Sequence, residues 1–309
     1  MRIAVIGAGG VGGYFGGHLA ARGYDVSFLA RGAHLAALRR DGLTVKGMAV
    51  DLTVSPVRST DDPREIGAVD VVLLAVKTWQ LGPAISVLEP LLGPDTAVVT
   101  LQNGVDAPTE VARVIGRDAV LPGLAKIFAS LEGPGVVRHV GGPASLTFAE
   151  WDNRPSDRVD RLRAALADSG VAVTAPTNVW ADLWTKFLFV APFGGLGAVT
   201  DAPIGVLRSR PGTRQMLVDG MTEIQRVASA MGVTLADDVV TATMAFVDQQ
   251  PAAGTSSLQR DILSGRPSEL EAWTGAVVRL GACVGTATPV NGFLYEVLTL
   301  RVDQMQDRS

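Results

Sequence analysis

A run of glycines at the start of the chain constrains its fold more than any other feature. Residues 2–17 read RIAVIGAGGVGGYFGG, in which Gly7, Gly9 and Gly12 form a Gly-x-Gly-x-x-Gly pattern. The β-branched residues before it predict a central parallel strand, and the apolar spacing after it predicts a helix. Glycines placed between a strand and a helix are typical of a dinucleotide site, where free helix N–H groups face the pyrophosphate. We expect Gly7 to permit the turn, Gly9 to admit the pyrophosphate, and Gly12 to let the helix pack against the strand.

The end of the second predicted strand, residues 25–29, indicates which dinucleotide binds. An NAD site carries an acidic residue about 20 residues past the glycines, whereas NADP needs a cation for its 2′-phosphate. This chain has Ala30-Arg31-Gly32 there, without an acid. Because a planar guanidinium suits a phosphate monoester, we predict that Arg31 binds NADP. The alternative is that Arg31 is only a solvated loop arginine.

Length and composition limit the class of protein. A chain of 309 residues with 47% hydrophobic and 19% charged residues is expected to fold into two domains of a soluble protein. A net charge of −4 gives no support for a nucleic-acid partner. The lone cysteine, Cys283, lies in an apolar stretch and is expected to be a buried, inert thiol.

The start of the chain and its apolar runs predict its location. The chain enters a strand at once, without the features of a signal peptide. No apolar run approaches the roughly 18 charge-free residues that predict a membrane span. We therefore expect a cytoplasmic protein with no membrane association.

The order of predicted elements favours a Rossmann-type doubly wound α/β sheet followed by an all-helical domain. We predict an NADP-binding domain over residues 1–176 and a helical substrate and dimerisation domain over residues 177–309. Strands are predicted at 2–6, 25–29, 69–76, 97–101, 119–121, 126–131, 136–139, 144–148 and 171–174. Helices are predicted at 11–22, 33–40, 80–88, 107–114, 157–168, 180–190, 211–231, 237–248, 258–263, 269–283 and 289–305. Met- and Val-rich faces on the last helices leave room for a homodimer.

Three polar residues stand where chemistry is expected. Lys77 follows one predicted strand, in VLLAVKTWQ, and Asn103 follows the next, in TLQNG. Carboxyl ends of parallel strands meet at one edge of a sheet, which favours a site, although Asn-Gly is also a common turn. Lys186 lies among aromatic residues in ADLWTKFLFVAPF. It is either a partly desolvated proton donor or a lysine whose stem lies along an apolar surface, and the segment alone favours neither.

Candidate partners for Lys186 lie in residues 255–271, which read TSSLQRDILSGRPSELE. Ser256 or Ser257 is interpreted most simply as a helix cap, and Glu269 as a first-turn glutamate. The three histidines, His18, His34 and His139, lack metal-ligand spacing, and we predict no metal site.

Taken together, the N-terminal GAGGVGG, Arg31, VKTWQ, QNG, LWTKF and SSLQRDI followed by PSELE resemble the ketopantoate reductase family in order and spacing. The resemblance spans nearly the whole chain. It implies an NADP-dependent oxidoreductase that reduces 2-dehydropantoate to pantoate in pantothenate biosynthesis. It also implies a C-terminal domain like that of 6-phosphogluconate dehydrogenase.

The resemblance assigns roles to matching residues. Lys186 corresponds to the general acid that protonates the carbonyl oxygen, and Glu269 to the glutamate that organises it. Asn103 matches a cofactor and substrate contact, and Ser257 a substrate-binding serine. Arg31 and Lys77 match cofactor-site residues.

One segment departs from the family pattern. Where the family places asparagines four and eight positions after the lysine, this chain has Val190 and Gly194. A third asparagine of the family aligns near Ile204 and is also missing from this chain. Sites built around such hydrogen bonds discriminate strongly between substrates. A related reductase or dehydrogenase acting on another carbonyl or imine is therefore one alternative. A non-catalytic NADPH-binding sensor is the other.

Overall fold

The protein is described by a computed structural model that covers residues 1–47 and 51–306. It divides into two compact units. The first is Met1–Gln102 with Ala107–Val179, and the second is Asn103–Asp106 with Trp180–Ser309. Residues 307–309, the end of the predicted helical domain, lie outside the described residues.

The first unit is built from strands with helices between them. The strands are β1 (Arg2–Ile6), β2 (Asp25–Leu29), β3 (Leu43–Lys46), β4 (Leu52–Val54), β5 (Arg58–Thr60), β6 (Val71–Leu74), β7 (Ala97–Thr100), β8 (Val120–Gly133), β9 (Val136–Phe148) and β10 (Ala172–Thr174). The helices are α1 (Gly10–Ala21), α2 (Gly32–Asp41), α3 (Pro63–Ile66), α4 (Leu81–Ile85), α5 (Ala107–Ile115) and α6 (Asp157–Asp168). Short 3₁₀ turns occupy Thr78–Gln80, Glu89–Leu91 and Arg117–Ala119.

In the described part of this unit the strands form one sheet in the order β4-β3-β9-β8-β7-β6-β1-β2-β5, and β10 pairs with β9. Five strands from β7 to β5 run parallel. Their register aligns the carboxyl ends, because Ile6 pairs with both Leu29 and Leu74, and Leu74 pairs with Thr100. The loops after β1, β2, β6 and β7 therefore leave the sheet at one edge.

Both faces of the parallel part of the sheet are buried, as a doubly wound sheet requires. Along β1, Ile3 and Val5 join one apolar cluster with Phe15 and Phe28, whereas Ala4 and Ile6 join a second cluster on the opposite face. Strand residues alternate between faces, so each cluster takes every second residue. The predicted fold class is confirmed.

Two pairs of predicted strands are each one continuous strand, which corrects the sequence analysis. Residues 120–121 and 126–131 both belong to β8, which pairs in parallel with β7 up to Pro122 and antiparallel with β9 from Gly123 onward, whereas Ala119 ends the 3₁₀ turn before it. The Pro-Gly pair marks this change of partner rather than a break. Residues 136–139 and 144–148 likewise join in β9. The short strands β3, β4 and β5 were not predicted, because each has only three or four residues and none contains a continuous run of apolar residues.

The second unit is helical over its described residues. Its helices are α7 (Val179–Thr200), α8 (Ile204–Ser209), α9 (Pro211–Ala230), α10 (Val239–Gln249), α11 (Ser257–Leu263), α12 (Thr274–Cys283) and α13 (Pro289–Gln306). They enclose a separate apolar core that includes Phe187, Leu217, Ile224, Val277 and Leu298.

Helix α7 runs ten residues beyond its predicted end and contains Pro192. Glycines that would weaken an isolated helix lie here against close neighbours: a Cβ atom on Gly195 would lie 3.0 Å from Thr274 Cγ2. Tertiary packing therefore overrides low helix propensity. Among the described residues α7 alone is long and apolar enough to span a membrane, and 67% of its most apolar window is buried inside the protein, as in a core helix.

A buried carboxylate joins α9 to α13. Glu223 is 4% exposed and accepts hydrogen bonds from the backbone N–H groups of Val290 and Asn291, at 2.7 and 3.0 Å, and from Asn291 Nδ2 at 2.7 Å. An acidic side chain satisfies the open N–H groups of a helix start and interacts favourably with the helix dipole. Glu223 thus fixes the first turn of α13.

Cys283 is exposed, and its predicted burial is wrong. It is the last residue of α12, whose buried side ends at Gly281. The apolar residues around Cys283 lie at the end of α12, beyond the part of the helix that packs in the core.

Candidate active site

The glycine turn has the tight geometry that its sequence predicts. Gly7 has φ +95°, a left-handed conformation that favours glycine, and a Cβ atom there would lie 2.6 Å from Val76 N. A Cβ atom on Gly12 would lie 2.9 Å from Val5 Cγ1 and 3.0 Å from Ala75 Cβ. The first glycine therefore lets β1 turn beside the end of β6, and Gly12 lets α1 approach both strands.

Gly9 differs because a Cβ atom there would meet nothing within 4 Å. It is the N-cap of α1, has no side chain to bond the first-turn N–H groups, and precedes a first turn without acidic residues. Such a helix start is suited to an anion. The open space at Gly9 and the packed space at Gly7 and Gly12 fit a dinucleotide pyrophosphate.

The two predicted cofactor cations lie past the carboxyl ends of neighbouring strands. Arg31 is the exposed N-cap of α2, two residues after β2. Lys77 is partly exposed and precedes the 3₁₀ turn three residues after β6. Since the ends of β2 and β6 align on either side of β1, both residues belong to the edge that bears the glycine turn.

Two further residues support this edge and were not predicted. Gln102, 4% exposed, donates from Nε2 to the carbonyl oxygens of Leu74 at 2.9 Å and Val76 at 3.1 Å, which fixes the loop that leads to Lys77. His34 on α2 accepts a hydrogen bond at Nδ1 from Gly135 N at 3.0 Å. Burial lowers the pKa of His34, against a smaller opposing effect of the Ala8 backbone. The ring is therefore neutral at pH 7.

The second unit brings together three of the predicted site residues. Lys186 Nζ on α7 donates to Asn103 Oδ1 at 2.8 Å, and Asn103 Nδ2 lies 3.4 Å from Glu269 Oε2, a long hydrogen bond. Lys186 is half-buried, whereas Glu269 is 3% exposed. An ammonium and a carboxylate are thus held to one amide, an arrangement suited to presenting a proton to a ligand oxygen.

The residues after Asn103 explain why it lies here. Gly104 has φ +102°, and a Cβ atom on it would lie 2.8 Å from the carbonyl oxygen of Ala272. Val105 is part of the helical core, and Asp106 accepts a hydrogen bond from Arg279 Nη2 at 2.8 Å. The glycine is needed for close approach, so Asn-Gly here is more than a turn signal.

Glu269 belongs to the turn before α12 and not to a helical first turn, so the helix predicted over 269–283 starts too early. The two neighbouring serines have different positions in the structure. Ser256 caps α11 by accepting a hydrogen bond from Gln259 N at 3.0 Å, as the simpler interpretation predicts. Ser257 begins the helix and is half-exposed, which leaves its substrate role a prediction.

No cluster of three or more His, Cys, Asp or Glu side chains suited to a metal ion occurs among residues 1–47 and 51–306.

Two protein-family models match the chain. Residues 3–153 match the family described as "Ketopantoate reductase PanE/ApbA", and residues 178–302 match "Ketopantoate reductase PanE/ApbA C terminal". Together they cover both units.

Individual relatives agree with these matches. A 2-dehydropantoate 2-reductase of Mesorhizobium japonicum is 30% identical, with 98% of this chain and 99% of that protein covered. A PanE/ApbA family ketopantoate reductase of Ralstonia eutropha has a solved structure with TM-score 0.91 and 32% identity, covering 99% of this chain and 100% of the other. A D-mandelate dehydrogenase bound to NADH and anilino(oxo)acetate has TM-score 0.90 over 99% of this chain and 100% of the other, but at 23% identity it shares the fold alone.

Replacing Gly9 with alanine tests the dinucleotide loop. The new methyl group would meet no protein atom, so we expect folding to be unchanged and nucleotide binding to weaken about tenfold or more, because the backbone could no longer approach the pyrophosphate closely. Thermal unfolding and a fluorescence titration with NADPH measure the two quantities. Gly212→Ala is the control, because a Cβ atom on this glycine in the first turn of α9 would also meet nothing within 4 Å. Unchanged NADPH affinity in Gly9→Ala contradicts the assignment.

Proposed function

Because the chain belongs to the ketopantoate reductase family, an oxidoreductase family, we propose that it reduces a small 2-oxo acid with NADPH. The substrate to test first is 2-dehydropantoate, whose reduction gives pantoate for pantothenate biosynthesis. A cytoplasmic location is part of this proposal. The hydrogen-bonded group of Asn103, Lys186 and Glu269 is the observation that carries it.

The chemistry of ketone reduction explains why such a group is needed. NADPH, when bound, supplies a hydride to the carbonyl carbon. The carbonyl oxygen then takes the π electrons and develops a negative charge that must be neutralised. Lys186 is the proposed general acid: its ammonium stabilises the developing negative charge and transfers a proton to that oxygen. The product is a secondary alcohol, and Lys186 is left as a neutral amine that water re-protonates.

Asn103 and Glu269 orient the proposed acid. Asn103 Oδ1 holds the Lys186 ammonium at 2.8 Å, which restricts a flexible four-carbon side chain to one direction. The Glu269 carboxylate lies 3.4 Å from Nδ2 of the same amide, which favours the amide orientation that turns Oδ1 toward Lys186. Ser257 is proposed to bind the substrate at the start of α11.

The nucleotide preference is proposed from the residues at the glycine-loop edge. Gly7, Gly9 and Gly12 would hold the pyrophosphate, and Arg31 would bind the 2′-phosphate. Lys77 would contact the cofactor from the end of β6, and Asn103 would contact both cofactor and substrate. The exposed guanidinium of Arg31 at the end of β2 supports NADP over NAD.

Removing the ammonium of Lys186 tests its proposed role. We expect Lys186→Met to lower kcat by about 10²- to 10⁴-fold, the usual contribution of a general acid, with NADPH affinity little changed. Steady-state rates with 2-dehydropantoate and an NADPH titration measure both. Lys126→Met, which removes an exposed lysine from β8, should leave kcat unchanged. A parent protein that binds NADPH but reduces no 2-oxo acid would instead support the sensor.

Arg31→Ala tests the cofactor preference. We expect NADPH affinity to fall about 10- to 100-fold, because a charge-assisted hydrogen bond contributes about 1.5–3 kcal/mol, while NADH affinity stays the same. The matched control is Arg40→Ala, which removes an exposed arginine of the same helix that is paired with Asp41. Equal losses for NADPH and NADH would refute the 2′-phosphate role of Arg31.

A further inference from the structure

The face of α7 that continues from Lys186 carries no hydrogen-bonding side chain at its next two positions. Val190 and Gly194 lie four and eight residues after Lys186 in one continuous helix. Residues at this spacing share a helix face, so Val190 and Gly194 are the next positions along the face that bears the Lys186 side chain. Valine and glycine side chains neither donate nor accept hydrogen bonds.

An indole ring occupies the space beside Gly194. A Cβ atom at this glycine would lie 2.5 Å from Trp273 Cζ3, 2.7 Å from Trp273 Cε3 and 3.2 Å from Leu258 Cδ2. Trp273 is 2% exposed and belongs to the helical core, so it has little freedom to move aside. The edge that faces Gly194 is the carbon edge, because Cε3 and Nε1 lie on opposite sides of an indole. The wall at Gly194 is therefore packed and apolar.

Aromatic side chains extend the apolar surface beside Val190. Phe189 stacks on Phe193 with ring centroids 5.4 Å apart, and Phe246 of α10 meets Phe189 edge to face at 5.2 Å. Phe246 is 47% exposed, and both Phe189 and Val190 are half-buried. Accessible carbon surface thus lies next to the position one helical turn beyond Lys186.

The apolar wall and the polar group are parts of one local structure. Trp273 follows Glu269 by four residues, and its backbone N–H donates to the Glu269 carbonyl oxygen at 3.1 Å. The same turn therefore sends a carboxylate toward Asn103 and an indole toward Gly194. The polar end suits the oxo acid group, and the wall suits a carbon side chain.

We propose that the site selects 2-oxo acids by a branched, apolar side chain and does not recognise a hydroxyl group on it, with the partly exposed Val190 as the specificity-determining residue and the buried contact of Gly194 with Trp273 as the packing that keeps this face of α7 apolar. This inference rests on the proposed function. A hydroxyl group placed against Val190 loses hydrogen bonds to water and gains none from that side chain. A site built to bind a hydroxyl group rejects the analogue without it by about 10⁴- to 10⁵-fold, and this wall lacks such a group at both positions.

A matched pair of substrates tests the proposal. The compound 3,3-dimethyl-2-oxobutanoate is 2-dehydropantoate without its hydroxyl group, so the pair isolates that group. We expect their kcat/KM values with NADPH to differ by less than about tenfold, or to favour the hydroxyl-free acid. A preference for 2-dehydropantoate above about 10³-fold overturns the inference and leaves the proposed function intact. If neither acid is reduced, the proposed function fails and the inference falls with it.

A variant of Val190 provides a second readout. Val190→Asn places an amide one turn beyond Lys186, and we expect it to shift the kcat/KM ratio toward 2-dehydropantoate by about tenfold, the effect of one new hydrogen bond. Val190→Leu keeps the wall apolar and should leave the ratio unchanged. We avoid Gly194→Asn, because its Cβ atom would overlap Trp273. An unchanged ratio in Val190→Asn overturns the placement of the substrate side chain against α7.

Ser257, the proposed substrate-binding serine, carries a hydroxyl group that could recognise the substrate hydroxyl. We expect Ser257 to bind the carboxylate that is common to both acids. In that case Ser257→Ala lowers both kcat/KM values by the same factor. A loss confined to 2-dehydropantoate would show that Ser257 reads the substrate hydroxyl and would overturn the proposal.

Discussion

The amide of Asn103 is the group on which the candidate active site depends. An amide can accept and donate at once, and Asn103 does both, accepting from Lys186 at 2.8 Å and reaching Glu269 at 3.4 Å. A carboxylate at this position could only accept, and a lysine could only donate. The backbone holds this amide in place because Gly104 can approach Ala272 closely and Asp106 pairs with Arg279.

Helix α7 gives the site its second property, a change from polar to apolar along one face. Helix α7 stays helical through Pro192 and several glycines, because side chains of neighbouring segments pack into the space that larger side chains on α7 would occupy. The indole of Trp273 is the clearest case, since it needs a glycine at position 194. The same packing that stabilises the helix therefore keeps glycine at position 194, on the face of α7 that is proposed to meet the substrate.

Much of the fold could be predicted from the sequence where local pattern and burial agree. Strands β1 and β2 and helix α6 have their predicted bounds, because each is a short periodic run with clear end signals. Tertiary packing decides three features that the sequence analysis missed: the edge strand β5, the end of α7 and the exposure of Cys283. The local sequence pattern does not contain this information. Among site residues, Lys186 and Asn103 had sequence signals. Gln102 lies within the TLQNG segment, but its hydrogen bonds to the carbonyl oxygens of Leu74 and Val76 depend on the three-dimensional fold and could not be predicted from the segment.

The position of a ligand carbonyl would show whether Lys186 is the general acid. A crystal structure of the protein with NADP and oxamate, an unreactive 2-oxo acid analogue, would locate the oxygen equivalent to that of the reacting ketone. We predict that this oxygen lies within hydrogen-bond distance of Lys186 Nζ while Asn103 keeps its hydrogen bond to the ammonium. An analogue bound with that oxygen away from Lys186 would contradict the proposed role of Lys186.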